Sequence, residues 1–555
     1  MYLSKNFFFT KNFIFFLLIA LILFQIYKIS WIDDDAMISF KSALNLVKGY
    51  GLTYNISERV QSFSNPLWTL IISIAYFFTN EFFYTAMVLN LFLTFVLIIL
   101  VIKFSNNDNL IILGLFAFLF SKAFVEFSSS GLENSLGHLL TAMAIISYTK
   151  IKVNDSLSFL KFTFLVSLIF VHRIDGVLIL IPLIISSLLI VRPIKDTLIF
   201  GFIGSIPAVL WVFFSFLYYG FIFPNTYYAK LGAWLTSDYY YSNGINYFLD
   251  SLWRDFFTLP FILTSIIIGL FSKKKTEILI ALGILLYLIY IIKIGGDFMS
   301  GRLLTIPLVT SVVLLSLNKN KFLNSKSFSV SSISILLLFS IFFNQFPFKM
   351  KSTHLNIYGP DDILEAAHKS SFSWHSKNNL FGLITEFLNT SYEMKIEKKT
   401  YIIRGAGYAG LCSNVNTHLI DIFGLTDPLL ARLPTLNPKL YGRPQIGHLK
   451  RAIPTGYPKT LITGELNFTD KDLEYYYYQL RYIITDRIFN SGRLLTAIRL
   501  NKGEWKDYIN KDQYRSPENF NSSFVIMWKN PKNENQKARV EPYQSFYDHC
   551  LEILD

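Results

Sequence analysis

The sequence predicts a polytopic α-helical membrane domain followed by a soluble α/β domain. Of its 555 residues, 52% are hydrophobic, and the mean hydropathy is +0.40, well above that of soluble chains. Apolar runs recur from residue 12 to about residue 347 and then stop. We therefore expect a membrane domain at 1–347 and a soluble domain of ordinary size at 350–555.

The apolar segments set the number of spans. They lie at 12–29, 67–79, 84–103, 109–124, 134–148, 159–172, 176–191, 197–217, 259–271, 277–293, 302–317 and 329–346. A helical span needs about 20 residues, so the short segment 67–79 is predicted to be re-entrant or interfacial, which leaves about eleven spans. The alternative is that Lys103 faces outward.

Charge predicts the topology. Lys5 and Lys11 precede the first apolar run, and no small-residue cleavage site follows it, which favours a retained anchor with a cytoplasmic N-terminus. Much of the net charge of +13 lies in short loops, where basic residues mark the cytoplasmic side. The basic residues that mark these loops lie at Lys103, 150–152, 192–195, 273–275 and 319–321. No zinc spacing or Arg-rich helix indicates nucleic-acid binding.

Three consecutive carboxylates, Asp33, Asp34 and Asp35, follow the first apolar segment. Acids at a membrane edge are costly and therefore indicate a functional site. Residues 36–48 alternate apolar and polar positions as an interfacial amphipathic helix does, and Gly49 ends it. The acids could instead be a solvated helix N-terminus, with Asp33 as its cap.

Several motifs together resemble one family. They are residues 33–68, SSGLEN (129–134), HRIDG (172–176), YYGFIFPNTYYAKLG (218–232), GGDFMSGR (295–302) and LIDIFGLTDPLLAR (419–432). In this order they resemble bacterial polyprenyl-phosphate-dependent glycosyltransferases of the GT-C class. The most similar branch is that of the mycobacterial terminal arabinofuranosyltransferase, which includes a flagellar motor control protein. Two motifs depart from the family pattern, with Ile174-Asp175 for Pro-Glu and Ser300 for proline.

The resemblance implies an inverting transferase at the outer face of the bacterial inner membrane. It would move a sugar, arabinofuranose in the nearest named relative, from a polyprenyl-phosphate donor to a cell-envelope glycan or glycoprotein. Such a reaction needs a carboxylate base, here one of Asp34 and Asp35, and cations for the leaving phosphate. Adjacent acids raise one another's pKa, which suits a base.

Arg173, Lys230 and Arg302 are the predicted phosphate ligands. The alternatives are a snorkelling arginine at Arg173, an interfacial aromatic belt around Lys230, and a structural Asp–Arg pair at Arg302. The predicted substrate-binding residues are Asp33, Glu133, Asn225, Tyr227 and Asp297. For Glu133 the alternative is helix capping. Mg²⁺ or Mn²⁺ could bridge acids and phosphate, although the sequence contains no dedicated ligand set.

Two further features concern the soluble domain, which the family resemblance suggests is carbohydrate-binding. GAGYAG (405–410) matches a dinucleotide-binding pattern, but turn-forming residues follow it, so a glycine-rich turn is the better interpretation. Cys412 and Cys550 could form a disulfide if the domain is exported, or remain free thiols.

Two other functions compete with the transferase. A transporter would place charges at mid-membrane, whereas the charges here lie at the ends of segments. A non-enzymatic membrane protein for flagellar motor or envelope assembly could use the same fold.

Overall fold

The computed structural model describes residues 2–153, 155–191, 193–232, 235–319, 331, 334, 392–395, 400–437 and 446–515. Within these ranges the chain is mostly helical up to residue 317, and three short strands follow. The predicted apolar segment 329–346 lies largely, and Cys550 wholly, outside the described residues. Cys412 forms a disulfide bond.

The helices up to residue 317 include every predicted apolar segment except 329–346, which lies largely outside the described residues. They are α1 (Tyr2–Lys28), α2 (Asp34–Val47), α3 (Pro66–Thr79), α4 (Phe83–Phe104), α5 (Asp108–Phe120), α6 (Lys122–Phe127), α7 (Asn134–Tyr148), α8 (Ser156–His172), α9 (Ile181–Ile190), α10 (Ile194–Tyr219), α11 (Asn225–Leu231), α12 (Ser237–Arg254), α13 (Thr258–Leu270), α14 (Lys275–Ile294) and α15 (Thr305–Leu317). Short 3₁₀ helices precede α9 (Ile174–Leu180) and α15 (Arg302–Leu304).

Among the described residues, three helices are long and apolar enough to cross a membrane: α4, α10 and α14. Helices α12 and α13 together pass the same test but are bent by 107° at their junction. The chain is therefore a helical membrane protein, while the number of eleven spans stays a prediction. The α3 helix, with 14 residues, is as short as expected for a segment that does not span.

The last part of the chain combines strands and helices. It contains β1 (Tyr392–Lys395), β2 (Thr400–Ile403), α16 (Ala406–Leu411), β3 (His418–Asp421), α17 (Tyr457–Thr463), α18 (Lys471–Thr485), α19 (Ser491–Asn501) and α20 (Lys511–Arg515). The sheet order is β1-β2-β3, with β1 antiparallel and β3 parallel to β2. Helix α16 provides the crossover that a parallel pair requires.

The chain forms two compact units that are interleaved in sequence. The first unit comprises residues 1–32, 86–208 and 238–377, and the second comprises 33–85, 209–237 and 378–555. The second unit has its own apolar core, in which Tyr54 packs among residues such as Ile403, Leu419 and Leu430. The predicted division at 347–350 therefore does not coincide with the division by packing, because two earlier segments belong to the second unit.

Helix α2 differs from the interfacial helix that the sequence predicts. All of Ala36–Asn45 is buried, including the polar face. Lys41 is 4% exposed and donates from Nζ to the carbonyl oxygen of Ser413 at 3.1 Å. An interfacial helix would keep that face in water, so this prediction is wrong: the segment around α16 covers the polar side. Gly49 does end the helix region, with φ of +82°.

The region between the predicted apolar segments 197–217 and 259–271 is also helical in part. It contains α11 and the 18-residue helix α12. The sequence of α12 is rich in tyrosine and polar residues, so it lacks the continuous apolar run by which the other helices were recognised.

Candidate functional site

A buried cluster of charges lies in the first unit, centred on Glu133. The carboxylate Oε1 of Glu133 accepts a hydrogen bond from Arg173 at 2.7 Å and another from Arg302 at 3.0 Å. Asp175 binds Arg173 through two parallel bonds of 2.9 and 2.8 Å, and Asp297 lies 3.5 Å from Arg302. The structure therefore brings together four of the predicted site residues: Glu133, Arg173, Asp297 and Arg302.

Helix ends and a tight turn place these side chains. Glu133 immediately precedes α7, and Arg173 stands in extended conformation between α8 and the 3₁₀ helix that follows. Gly301, with φ of +74°, turns the chain so that Arg302 begins the next 3₁₀ helix. A Cβ at Gly301 would lie 2.7 Å from the Cβ of Ala123. The positive φ and this close contact both require glycine at the turn.

The environment of Glu133 decides its charge. Burial alone would raise the pKa of Glu133, but the nearby Arg302 and Arg173 outweigh burial and hold the pKa well below its ordinary value. Glu133 makes no side-chain cap to α7, so the capping alternative is not what the structure shows. The carboxylate is an ion-pair partner that stays charged at physiological pH.

Several buried polar groups beside this cluster lack partners. Both ring nitrogens of His138 and of His172 have no hydrogen bond to any described residue, nor do the hydroxyls of Ser129 and Ser130. All four residues are at most 1% exposed. Buried polar atoms in native proteins normally have partners, so these positions fit ordered water or a polar ligand.

A second group of buried charges in the first unit was not predicted from the sequence. Arg254 binds Asp250 at 2.7 Å, and Ser300 donates to the other oxygen of Asp250 at 2.5 Å. Lys122 and Glu126 form a further buried pair at 3.6 Å. For Lys122 and Glu126 the available signal was charge in and beside an apolar segment, which indicates pairing or function in a membrane protein, whereas the polar sequence of α12 gave no such signal for Asp250 and Arg254.

In the second unit, the three consecutive acids start α2. Asp33 caps the helix by accepting a hydrogen bond from the amide of Asp35 at 2.7 Å, as the alternative interpretation proposed. Asp34 accepts hydrogen bonds from the amides of Tyr408 at 2.8 Å and Gly407 at 3.3 Å. Asp34 and Asp35 stand side by side in the first turn, where neighbouring side chains diverge.

Among the predicted site residues of the second unit, the partly buried Asp34 has a pKa shifted toward neutral pH. Burial raises its pKa to about 7, and the neighbouring charge of Asp35 adds to this, while the amides of Tyr408 and Gly407 lower it. A carboxyl group that titrates near neutral pH can take a proton from a hydroxyl group.

These contacts also explain why GAGYAG is no dinucleotide site. The motif does lie between a strand and a helix, and β3 is parallel to β2. However, α16 has only six residues, and two of its amides donate hydrogen bonds to the carboxylate of Asp34. Asp421, at the end of β3, binds three amides of residues 423–426 and is not free for a ribose.

Of the predicted residues around α11, one holds a neighbouring loop in place and the others are exposed or partly buried. Asn225 donates to the carbonyl oxygens of Gly424, Leu425 and Asp427 at 2.9 to 3.1 Å, so it holds the loop after β3. Tyr227 is 41% exposed and stacks on Phe223. Lys230 is partly buried at the last turn of α11.

A small open pocket adjoins Asn225. The guanidinium of Arg432, which lines it, lies 4.2 and 4.3 Å from the ring centres of Phe221 and Tyr228. Arg432 also donates to Asn225 at 3.1 Å. The sequence analysis did not single out Arg432, although it ends one of the quoted motifs.

Two more acids of the second unit were missed: Glu58 and Asp427. They are 5% and 0% exposed. Burial raises the pKa of Glu58 to about 8, with a further contribution from Asp427. Burial likewise raises the pKa of Asp427 to about 7, although it accepts hydrogen bonds from Leu430 and Tyr457.

This burial predicts that Glu58 makes the second unit less stable as pH rises. The folded chain keeps a proton on Glu58 up to about pH 8, whereas the unfolded chain releases it near 4.5, so stability falls across that window. We expect Glu58→Gln, which imitates the protonated form, to stabilise the unit by on the order of 2 kcal/mol at pH 8.5 and hardly at pH 4. Hydrogen exchange of β2 and β3 measures this.

The matched control is Glu465→Gln at an exposed position. It should change exchange equally little at both pH values. A Glu58→Gln variant with the wild-type pH dependence would show that Glu58 is ionised in the folded chain throughout the range.

The predicted site residues thus fall into two sets, one in each unit. Glu133, Arg173, Asp297 and Arg302 lie in the first unit, and the remaining six lie in the second. Among the described residues, no group of three or more His, Cys, Asp or Glu side chains could hold a metal ion. Comparison with protein-family models, curated proteins and solved structures finds no match for this chain.

Proposed function

We propose that this chain is a GT-C-like inverting glycosyltransferase. It takes a sugar from a polyprenyl-phosphate donor and passes it to a cell-envelope glycan or glycoprotein at the outer face of the bacterial inner membrane. The observation that carries the proposal is the carboxyl group of Asp34, held by two backbone amides with a pKa near 7. Arabinofuranose is the sugar that the family resemblance implies.

In this proposal Asp34 is the general base. The acceptor hydroxyl gives its proton to Asp34 as its oxygen attacks the anomeric carbon and the bond to the lipid phosphate breaks. The amides of Gly407 and Tyr408 fix the direction of the carboxylate, and its remaining lone pairs can accept the proton. Asp35 raises the pKa of Asp34 and can orient the acceptor.

Arg173 and Arg302 are proposed to bind the donor phosphate. Each guanidinium has five N–H groups, and the bonds to Glu133, Asp175 and Asp297 hold the planes in place. The unpartnered histidines and serines beside them are consistent with a polar ligand. Lys230 is assigned the same role from its sequence position. The proposal uses no step through a metal ion.

The membrane orientation belongs to the proposal. The basic loops predict a cytoplasmic N-terminus, and the polar clusters and the region after residue 347 then face the periplasm. The apolar helices α4, α10 and α14 support the membrane location.

A non-enzymatic role in flagellar motor or envelope assembly is the second candidate. It is favoured by the internal pairing of the first-unit cluster, where three acids face two arginines. Such a network can serve as structure alone.

The deciding experiment compares surface glycans and lipid-linked sugars by mass spectrometry. Cells would express the wild type or the Asp34→Asn/Asp35→Asn double variant at equal abundance. We expect the variant to lose a terminal sugar and to accumulate the polyprenyl-phosphate donor. Identical profiles, in a strain where the wild type is required, would reject the transferase and support the assembly role.

A further inference from the structure

Exposed apolar side chains surround the C-terminal end of α10 in the second unit. The last turns of the helix expose Leu210 and Phe213, each at 61%. Beyond the helix end, the exposed side chains continue with Ile222 at 41% and Leu231 at 47%. Phe489, far away in sequence, is 81% exposed. Large apolar side chains exposed near one another on a folded protein are candidates for contact with a membrane or a partner.

The loop that carries Phe489 is fastened to the end of α10. Arg493 is completely buried and donates to the carbonyl oxygens of Leu217 at 2.7 Å and Tyr218 at 2.9 Å. The same guanidinium donates to the carbonyl oxygen of Ile488 at 3.0 Å. The last carbonyls of a helix have no partner within it, and Arg493 satisfies two of them while holding residue 488 beside them.

Close packing supports the same attachment. Asn501 donates to the carbonyl oxygen of Gly220 at 2.8 Å. Gly220 has φ of +81° and leaves no room for a Cβ because Ile483 of α18 contacts it. Helices α18 and α19 therefore sit directly against the residue that follows α10.

The end of α10 carries residue types that are typical of the membrane–water interface. A helix of 26 residues is about 39 Å long, which exceeds the roughly 30 Å of the hydrocarbon layer. Trp211, Tyr218 and Tyr219 near its end are the residue types that favour the membrane–water interface. If α10 spans, a loop held at Leu217 and Tyr218 lies at the level of the lipid head groups.

We infer that the loop 486–490 inserts into the membrane interface, with Phe489 among the upper acyl chains and the exposed Arg487 at lipid phosphates. The partner is the bilayer that α10 crosses. The combination of an exposed aromatic ring and a basic side chain two residues apart is suited to this position. The second unit is thereby anchored to lipid at a point distant in sequence from the spans. This inference is independent of the proposed enzymatic activity.

A fluorescent label tests the depth of the loop. Cys412 is in a disulfide, so Phe489→Cys can be labelled with an environment-sensitive nitrobenzoxadiazole dye in the full chain, with the wild type as labelling blank. The protein is placed in nanodiscs containing lipid with a nitroxide at carbon 5 of the acyl chain. The control is Asp472→Cys. Asp472 is exposed at the start of α18, a helix about 20 Å long whose other end precedes the loop 486–490.

We expect the nitroxide lipid to quench the label at position 489 at least twofold more than the label at 472, with emission shifted to the blue. Equal quenching at both positions would overturn the inference. A blue shift that depends on protein concentration, without quenching by the lipid, would instead show contact with a second copy of the chain and would overturn it as well.

Discussion

Asp34→Asn is expected to lower the rate of sugar transfer by about 10²- to 10⁴-fold. The amide of asparagine can still accept hydrogen bonds from Tyr408 and Gly407, but it cannot take a proton from a hydroxyl group. The measurement is the release of polyprenyl phosphate in proteoliposomes supplied with a lipid extract from the native cells. Protection of α16 from hydrogen exchange verifies that the contact to Asp34 survives.

The wild-type rate should also depend on pH in a defined direction. The base must be deprotonated, so the rate rises as pH increases through about 7 and then levels off. A rate that falls across this range would exclude Asp34 as the base.

Asp33→Asn is the matched control in the same acidic run. Asparagine caps a helix as well as aspartate does, so α2 should keep its start while one charge is lost. If only Asp34→Asn is inactive, its carboxyl group acts in the reaction. An equal loss in both variants would assign the effect to the total charge of the run, or to the predicted binding of substrate by Asp33.

The sequence predicted the positions of the helices better than it predicted which side chains pair with one another. Long apolar runs correspond to α4, α10 and α14 because length and composition alone determine whether a helix can cross a bilayer. Glu133 and Arg302 were suspected one by one, since charges at the ends of apolar segments are costly. Their pairing joins residues 169 positions apart, which no local pattern reveals.

In the second unit, the sequence did not predict which polar residues are buried. Glu58 and Asp427 lie within two of the quoted motifs, but no local pattern marks either carboxylate for burial, and only the packing of the chain buries them. The same packing covers the polar face of α2 and turns an apparent interfacial helix into a buried one. A local pattern shows that a helix has an apolar and a polar face. It does not show which of these faces is buried, because that depends on segments hundreds of residues away in the sequence.

Glu133→Gln is expected to destabilise the first unit by about 3–5 kcal/mol. The substitution removes the one charge that both Arg173 and Arg302 contact, and it leaves the buried guanidinium of Arg302 and the partly buried one of Arg173 facing a neutral group. Titration with sodium dodecyl sulfate in mixed micelles, followed by far-ultraviolet circular dichroism, measures the difference in the free energy of unfolding.

Glu277→Gln provides the control for removing a buried carboxylate from the same unit. Glu277 is 2% exposed and accepts hydrogen bonds from Ser272 and Asn318, which the carbonyl oxygen of glutamine can still accept. Its ion-pair partner Lys274 is 46% exposed at 3.0 Å and can be solvated when the charge is lost, so the cost should be smaller than that of Glu133→Gln.

A double variant separates the lost pairing from the lost carboxylate. Arg302→Met together with Glu133→Gln removes one charge of each sign, so the double variant should be less destabilised than the sum of the single variants by about 1–3 kcal/mol. Strict additivity would mean that Glu133 stabilises the unit through Arg173 alone, in which case Arg302 is held by Asp297 and remains available to a phosphate. A Glu133→Gln cost as small as that of Glu277→Gln would contradict the buried pairing itself.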